Sequence, residues 1–269
     1  MERIDLELDR RIWRERRADS RTPEAARLYE ALGRGEIEIL FQPQFAASDG
    51  RLLGAEALAR WRHPEHVLID GAALFESAER AGLARHLWRH VARTALGHAA
   101  GWGRPLRLSL NITAADLAEE EFPEQVAVTV GRACFPAERL TLEITEQVLV
   151  ADLDRSAEQL RQLASLGIRI ALDDFGAGFC NFGYLKRLPL HYLKLDRSMA
   201  EGIDSDPRDL AVLRGILAMA HALGLEVVAE GIEREAQRAA IAREGCSSWQ
   251  GFLGAKPMDP IEFAKLTFL

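Results

Sequence analysis

Short apolar segments of strand type alternate with longer amphipathic segments along most of the 269 residues. Eight such strands with interleaved helices predict an α/β fold, a modified TIM (β/α)8 barrel, which typically needs roughly 250 residues. The sequence contains no internal repeat or low-complexity tract that would favour another architecture.

The apolar periodicity places each element in order along the chain. The predicted strands are Ile37 to Gln42, Leu52 to Trp61, Leu106 to Ile112, Leu140 to Thr145, Arg169 to Asp173, Tyr192 to Leu195, Glu226 to Ala229 and Ser247 to Phe252. The predicted helices between them include Gly71 to Ala81, Leu87 to Ala99, Glu121 to Cys134, Asp154 to Leu166, Arg208 to Leu223 and Arg234 to Arg243.

The first two predicted strands follow each other too closely for a regular barrel. Only Ala46 to Gly50 separates them, and Asp49-Gly50 is a turn dipeptide. A parallel connection needs about a dozen residues or more. We therefore expect an antiparallel first strand.

The amino-terminal residues differ in composition from the barrel. Residues 1 to 33 begin with dense alternating charge and a thin apolar stripe, which predicts a solvated helix. This helix is either an extension lying on the domain or a connector from an upstream domain. We favour the connector. Thr22 and Pro23 are typical of the start of a second helix, which we expect to reach Leu32 and to end at Gly33 and Gly35. The barrel domain is predicted over 34 to 269.

Composition excludes several classes of protein. The chain has 34 Lys and Arg against 41 Asp and Glu, a net charge of −7, which argues against a partner that is a nucleic-acid polymer. No apolar run approaches the ~18 residues of a membrane segment. The three cysteines are scattered, which is typical of a reducing compartment. We expect a cytoplasmic location, with any membrane tether belonging to a longer parent protein.

Polar residues recur at or near the ends of the predicted strands. The carboxyl ends of barrel strands converge on one mouth, where active sites lie. We therefore expect a common cleft for these side chains, which are Glu56, Asn111, Glu143, Asp173, Asp174, Lys194, Glu230 and Gln250. Taken singly, each has a structural explanation, such as a salt bridge for a glutamate or for Lys194, or a helix cap for Asn111.

Five carboxylates in a small cleft would either become protonated or require compensating cations. Oxygen ligands without His or Cys favour Mg²⁺ or Mn²⁺ over Zn²⁺. The adjacent Asp173 and Asp174 suit two ions, which in phosphoester hydrolysis activate water and stabilise charge on the phosphorus oxygens. Lys194 would hold a phosphate oxygen or position the water.

These residues lie in an ordered series of motifs that resembles the EAL domain, a bacterial cyclic di-GMP phosphodiesterase. The resemblance covers about 34 to 269. It is carried by FQP (Phe41 to Pro43), GAEALARWRHP (Gly54 to Pro64), LSLNI (Leu108 to Ile112), LEITE (Leu142 to Glu146), LDDFGAGF (Leu172 to Phe179), LKLDR (Leu193 to Arg197), VVAEGIE (Val227 to Glu233) and QGFLGAKP (Gln250 to Pro257).

The resemblance implies hydrolysis of cyclic di-GMP to linear 5'-pGpG with two Mg²⁺ or Mn²⁺ ions, and inhibition by Ca²⁺. The implied ligands are Glu56, Asn111, Glu143 and Asp173 for one ion and Asp173, Asp174 and Glu230 for the other. Lys194 would help to orient the attacking water, and Glu230 or the metal ions would assist its deprotonation. Glu146 would brace the loop after Asp174, and Glu233 would support the metal ligands.

The same resemblance implies contacts with the dinucleotide and with other proteins. The implied substrate contacts are Gln42, Leu58, Arg60, Gln250 and Pro257, with Arg60 on a phosphate. We also expect a homodimer formed through the loop after Asp174 and adjacent helices. An upstream GGDEF or sensory domain is a further expected partner.

The loop after the two aspartates departs from the family pattern at Ala177, Phe179, Cys180 and Asn181. In the family this loop couples dimerisation to metal binding, so the departures concern rate and regulation. The alternative to an enzyme is a catalytically weak or inactive receptor that binds cyclic di-GMP and signals by conformation.

Overall fold

The computed structural model describes residues 22–64, 68–146, 152–178 and 182–268. These residues fall into two compact units. The first comprises 22–38 and 59–91, and the second comprises 39–58 and 92–268. The charged segment that we expect before Thr22 lies outside the described residues, so the connector remains a prediction.

Strands and helices alternate as predicted over most of the chain. The strands are β1 (Ile37–Ala46), β2 (Leu52–Trp61), β3 (Arg107–Asn111), β4 (Leu140–Thr145), β5 (Arg169–Phe175), β6 (Tyr192–Leu195), β7 (Glu226–Ala229) and β8 (Ser248–Trp249). The helices are α1 (Pro23–Arg34), α2 (Gly71–Arg80), α3 (Ala84–Ala100), α4 (Ala114–Leu117), α5 (Phe122–Arg132), α6 (Leu153–Ser165), α7 (Phe182–Arg187), α8 (Arg197–Ala200), α9 (Pro207–Ala222), α10 (Glu235–Glu244) and α11 (Pro260–Leu266).

The eight strands close into a barrel in chain order, β1 to β8. Each neighbouring pair from β2 to β8 is parallel, whereas β1 pairs with β8 antiparallel. The connection from β1 to β2 is a hairpin in which the Ala46 N–H donates to the Arg51 carbonyl over 2.9 Å. The prediction of a modified TIM barrel with an antiparallel first strand is confirmed.

Four strands differ in their bounds from the sequence prediction. β3 is shorter by one residue at each end, β5 continues past Asp173 to Phe175, and the larger differences are in β1 and β8. β1 continues past Gln42 to Ala46. Its alternating burial pattern runs through Pro43, although a proline is expected to end a central strand. β8 is shorter than predicted and comprises only Ser248 and Trp249. The short helices α4, α7, α8 and α11 were not predicted, because three or four turns of apolar periodicity are needed to recognise a helix.

The first unit includes helices α1 and α2. The Thr22 side chain accepts a hydrogen bond from the Ala25 N–H over 3.2 Å and caps α1, as predicted. The helix ends at Arg34, two residues later than expected, because Gly33 is helical and Gly35 (φ 72°) provides the left-handed terminus. Leu28 on the inner face of α1 and Leu74 in α2 are fully buried.

The second unit separates apolar and polar side chains across the barrel wall. In β3, Leu108 and Leu110 are fully buried, while the alternate positions Ser109 and Asn111 are polar. This period of two places leucines against the surrounding helices and polar groups inside the barrel. Within the described ranges, no helix combines the length and the apolar character that crossing a membrane requires.

Replacing Gly54 with alanine tests how closely β2 packs against β3. A Cβ at position 54 would lie 2.3 Å from the carbonyl oxygen of Arg107, its partner in the strand pair. Since backbone atoms cannot move aside freely, we expect Gly54→Ala to lower the free energy of unfolding by about 1–3 kcal/mol. Urea unfolding measures this loss.

The matched control is Gly97→Ala in α3. Position 97 is exposed and a Cβ there would meet nothing within 4 Å, so stability should stay equal or rise slightly. Equal urea midpoints for wild type and Gly54→Ala would contradict the packing described here.

Candidate active site

The ammonium group of Lys194 lies at the centre of an acidic cluster in the second unit. Its Nζ is 2.6 Å from Glu143 Oε2, 2.9 Å from Asp173 Oδ2, 2.9 Å from Glu230 Oε1 and 3.5 Å from Glu56 Oε2. The lysine side chain is 1% exposed. Four carboxylates therefore share one buried cation.

Separate strands of the barrel bring these side chains together. Glu56 lies on β2, Glu143 on β4 and Lys194 on β6, and Glu230 directly follows β7. Asn111, the last residue of β3, pairs with Glu143 in the strand register. Because parallel strands of a barrel end at one mouth, residues far apart in sequence meet there.

Two amide side chains orient the carboxylates. Asn111 Nδ2 donates to Glu56 Oε1 over 2.9 Å, and Gln250 Nε2 donates to Glu56 Oε2 and to Glu230 Oε1, each over 2.8 Å. Burial favours a raised pKa of Glu56, but Lys194 and the two amide donors outweigh it and hold the pKa below its usual value. Glu56 is thus kept ionised.

A strand irregularity allows two adjacent aspartates to serve one site. Consecutive residues of a regular strand point to opposite faces. The register of β5 against β6 shifts between Leu172 and Phe175, and Asp174 has a left-handed φ of 55°. Carboxylate oxygens of Asp173 and Asp174 consequently lie within 4.8 Å of each other and of Glu230. Such a bulge redirects side chains near a functional site.

The cluster carries more negative than positive charge. Burial and neighbouring carboxylates raise the pKa of Glu143 well above its usual value and that of Glu230 to about 8, although Lys194 opposes both shifts. Burial acts to lower the pKa of Lys194, but the attraction of Asp173, Glu143, Glu230 and Glu56 outweighs it, and this pKa is raised well above its usual value. The lysine therefore stays protonated.

The donor set fits divalent cations with a preference for oxygen. Glu56, Glu143 and Asp173 each offer an oxygen within 4.8 Å of the others, and Asp173, Asp174 and Glu230 form a second such set. Carboxylates without His or Cys suit Mg²⁺ or Mn²⁺, and the unbalanced negative charge favours their binding.

Two further residues, Glu146 and Glu233, were assigned to support the site. Glu146 directly follows β4 and is half-buried. Glu233 is exposed and lies 3.7 Å from Arg197 Nη1, and its backbone N–H donates to Gln237 Oε1. The loop residues Phe179, Cys180 and Asn181 lie outside the described residues, while Ala177 is exposed. The roles assigned to Glu146 and Glu233 stay predictions.

The residues assigned to substrate contact lie in several parts of the fold. Gln42 on β1 and Pro257 are both half-buried and flank a pair of backbone hydrogen bonds, 2.8 and 3.0 Å long, between Phe41 and Met258. Leu58 is half-buried on β2. Arg60 belongs to the first unit, where its Nη1 donates to the Ala59 carbonyl over 2.8 Å. Their contacts with substrate stay predictions.

Gln44 is a polar member of the site that was not among the predicted site residues. Its Nε2 donates to Gln250 Oε1 over 3.1 Å. It also lines a small cavity inside the barrel, together with Ser109, Thr141 and Lys194. The spacing of two between Gln42 and Gln44 was the available signal, because it places both on one face of a strand.

Comparison with known proteins identifies relatives with curated names. The chain is 36% identical over 240 residues to the bifunctional diguanylate cyclase/cyclic di-GMP phosphodiesterase MucR of Pseudomonas aeruginosa, covering 86% of this chain and 34% of MucR. It is 36% identical over 236 residues to the cyclic di-GMP phosphodiesterase NbdA of the same organism, covering 86% of this chain and 30% of NbdA. The chain thus spans about a third of the length of these relatives.

Solved structures share both fold and sequence with this chain. A complex of the PaMucR phosphodiesterase with c-di-GMP is 34% identical with a TM-score of 0.83, covering 90% of this chain and all of that one. The EAL domain of Mycobacterium smegmatis DcpA is 33% identical with a TM-score of 0.73, covering 87% and 96%. The family model of the EAL domain matches residues 25–257. The chain belongs to the EAL domain family, as the sequence motifs predicted.

Proposed function

We propose that this chain hydrolyses cyclic di-GMP to linear 5'-pGpG with two Mg²⁺ or Mn²⁺ ions. The observation that carries the proposal is the convergence of acidic residues from separate strands around Lys194. The names of MucR and NbdA support the choice of substrate. In the reaction, one water adds its oxygen to phosphorus, one P–O3' bond breaks, and a proton ends on the released 3' oxygen.

The two carboxylate sets suggest how the ions would be held. Glu56, Asn111, Glu143 and Asp173 would hold one ion, and Asp173, Asp174 and Glu230 would hold the other. In each set the carboxylate oxygens lie within 4.8 Å of one another, which supports this division. When bound, such ions neutralise charge on phosphate oxygens and lower the pKa of water.

Lys194 and Glu230 would have different roles in handling protons. The raised pKa of Lys194 means that it acts as a charged hydrogen-bond donor, suited to orienting water or a phosphate oxygen, and not as a base. Glu230 is 17% exposed, so water can reach it. Its Oε1 already accepts from Lys194 and Gln250, which leaves Oε2 to take the proton from the attacking water.

The remaining assignments rest on the sequence motifs. We propose that Gln42, Leu58, Arg60, Gln250 and Pro257 contact the dinucleotide, that Glu146 braces the loop after Asp174, and that Glu233 supports the metal ligands. A homodimer formed through that loop and an upstream GGDEF or sensory domain are further proposals. The diguanylate cyclase part of the name of MucR supports the second of these. We also propose a cytoplasmic location.

Replacing Glu56 with glutamine tests the proposed reaction. The change keeps the size of the side chain but removes a buried charge that two amides and Lys194 hold in place. We expect wild type with Mg²⁺ to convert cyclic di-GMP to pGpG, and Glu56→Gln to be slower by ~100-fold or more. Chromatography of the nucleotides measures both.

The matched control is Glu158→Gln on the exposed face of α6, which should keep wild-type activity. If wild-type protein binds cyclic di-GMP in Mg²⁺ without converting it, the proposal that the chain is an enzyme is overturned. The receptor alternative is then favoured.

Metal removal tests the dependence on hard cations. Excess EDTA should abolish hydrolysis, and Mg²⁺ or Mn²⁺ should restore it. Ca²⁺ should not restore it, because Ca²⁺ prefers longer bonds and more ligands than these sets provide. The rate of cyclic di-GMP hydrolysis, measured after dialysis and after addition of each ion, tests these expectations. Full activity in EDTA would refute metal dependence.

Replacing Lys194 with methionine tests the competition between the ammonium group and a bound cation. Lys194 occupies the carboxylates that would bind metal. We therefore expect Mn²⁺ to raise the Tm of Lys194→Met by about 3 °C more than that of wild type, alongside loss of hydrolysis. Thermal unfolding with and without Mn²⁺ measures the difference.

The corresponding control is the exposed Lys265→Met, whose response to Mn²⁺ should match that of wild type. Equal Mn²⁺ shifts in wild type and Lys194→Met would argue against direct competition at the cluster.

A further inference from the structure

We propose that Gln44 is a positioning residue, which holds the amide of Gln250 in the orientation that donates to Glu56 and Glu230. The inference deepens the proposed function, because it concerns the geometry of two of the proposed metal ligands. Its experimental test uses metal-free protein first, so that it can be judged separately from hydrolysis.

The reversed first strand places the two glutamines opposite each other. β1 and β8 pair antiparallel, with Phe45 opposite Trp249 and Ala46 opposite Ser248. Continuing this register by one residue places Gln44 opposite Gln250. Directly opposed residues of an antiparallel pair have side chains within contact distance on the same face.

The hydrogen-bond directions leave one consistent orientation for Gln250. Glu56 Oε2 and Glu230 Oε1 are acceptors, so the amide NH2 of Gln250 must face them, at 2.8 Å from each. The carbonyl oxygen Oε1 of Gln250 then points away from the carboxylates and requires a donor. Gln44 Nε2, at 3.1 Å, is that donor.

Packing alone does not fix the amide of Gln250. The two ends of an amide group have almost the same shape, so steric contacts distinguish them poorly. Gln44 itself is half-buried and lines the cavity inside the barrel. The choice between the two orientations therefore rests on hydrogen bonds, and Gln44 contributes the one that does not come from a carboxylate.

Loss of this hydrogen bond would act on the carboxylates through Gln250. An amide that turns over would present its oxygen to Glu56 and Glu230, which repel it. The glutamine would then move away from one or both carboxylates, and Glu56 would keep Asn111 as its amide donor. Glu56 and Glu230 belong to different proposed metal sets, so both sets would become less ordered.

The first test measures the side-chain NH2 of Gln250 by NMR in metal-free protein labelled with ¹⁵N-glutamine. Gln250→Met identifies the resonance by its disappearance. In Gln44→Met, which keeps the length of the side chain but has no donor, we expect the Gln250 NH2 protons to exchange with solvent about fivefold faster than in wild type. Unchanged exchange in Gln44→Met would overturn the inference.

The second test is a double-mutant cycle on Mn²⁺ affinity, measured by titration of the full chain. We expect Gln44→Met to weaken binding about fivefold, and to have no further effect in the Gln250→Met background. Independent, multiplying effects would mean that Gln44 does not act through Gln250 and would also overturn the inference.

Gln125→Met on α5 serves as the control, since this residue is half-buried but belongs to a helix. It should leave both the exchange rate of the Gln250 NH2 protons and the Mn²⁺ affinity at the wild-type value. The Tm of each variant shows whether it is folded. If wild-type protein fails to hydrolyse cyclic di-GMP while the NMR result holds, the proposed function falls and the role of Gln44 in orienting Gln250 stands.

Discussion

The site depends on one buried ammonium group shared by four carboxylates. Removing charges from water is costly unless opposite charges and hydrogen bonds replace the lost solvation. Lys194 provides part of that replacement, with three carboxylate oxygens within 2.9 Å of its Nζ. Burial and the neighbouring carboxylates raise the pKa of Glu143 and Glu230. Since one positive charge cannot balance four negative ones, the cluster is suited to binding further cations.

The barrel wall and two local features convert this charge cluster into an ordered site. Separate strands supply the carboxylates, while Asn111 and Gln250 set the direction of Glu56 through hydrogen bonds to both of its oxygens. The bulge in β5 allows Asp173 and Asp174 to face the same space. Left-handed backbone at a non-glycine residue is costly, and its presence at Asp174 indicates that the surrounding structure stabilises it.

Much of this arrangement could be predicted from the sequence, because strand period and strand ends determine which side chains meet. The reversed first strand followed from the short connection after Ala46. The bulge could not be predicted, because a period of two assigns adjacent aspartates to opposite faces. Gln44 was not assigned to the site, since the predicted strand stopped before Pro43 and its pairing with Gln250 depends on contacts distant in sequence.

The reversed direction of β1 has a mechanical consequence. The register puts Ala46, its last residue, opposite the first residue of β8, so the earlier part of β1 lies toward the carboxylate end of the barrel. In a regular barrel, the first strand begins at the opposite end. A torque or displacement transmitted along the polypeptide into β1 therefore arrives at the carboxylate end, on the strand that carries Gln42 and Gln44.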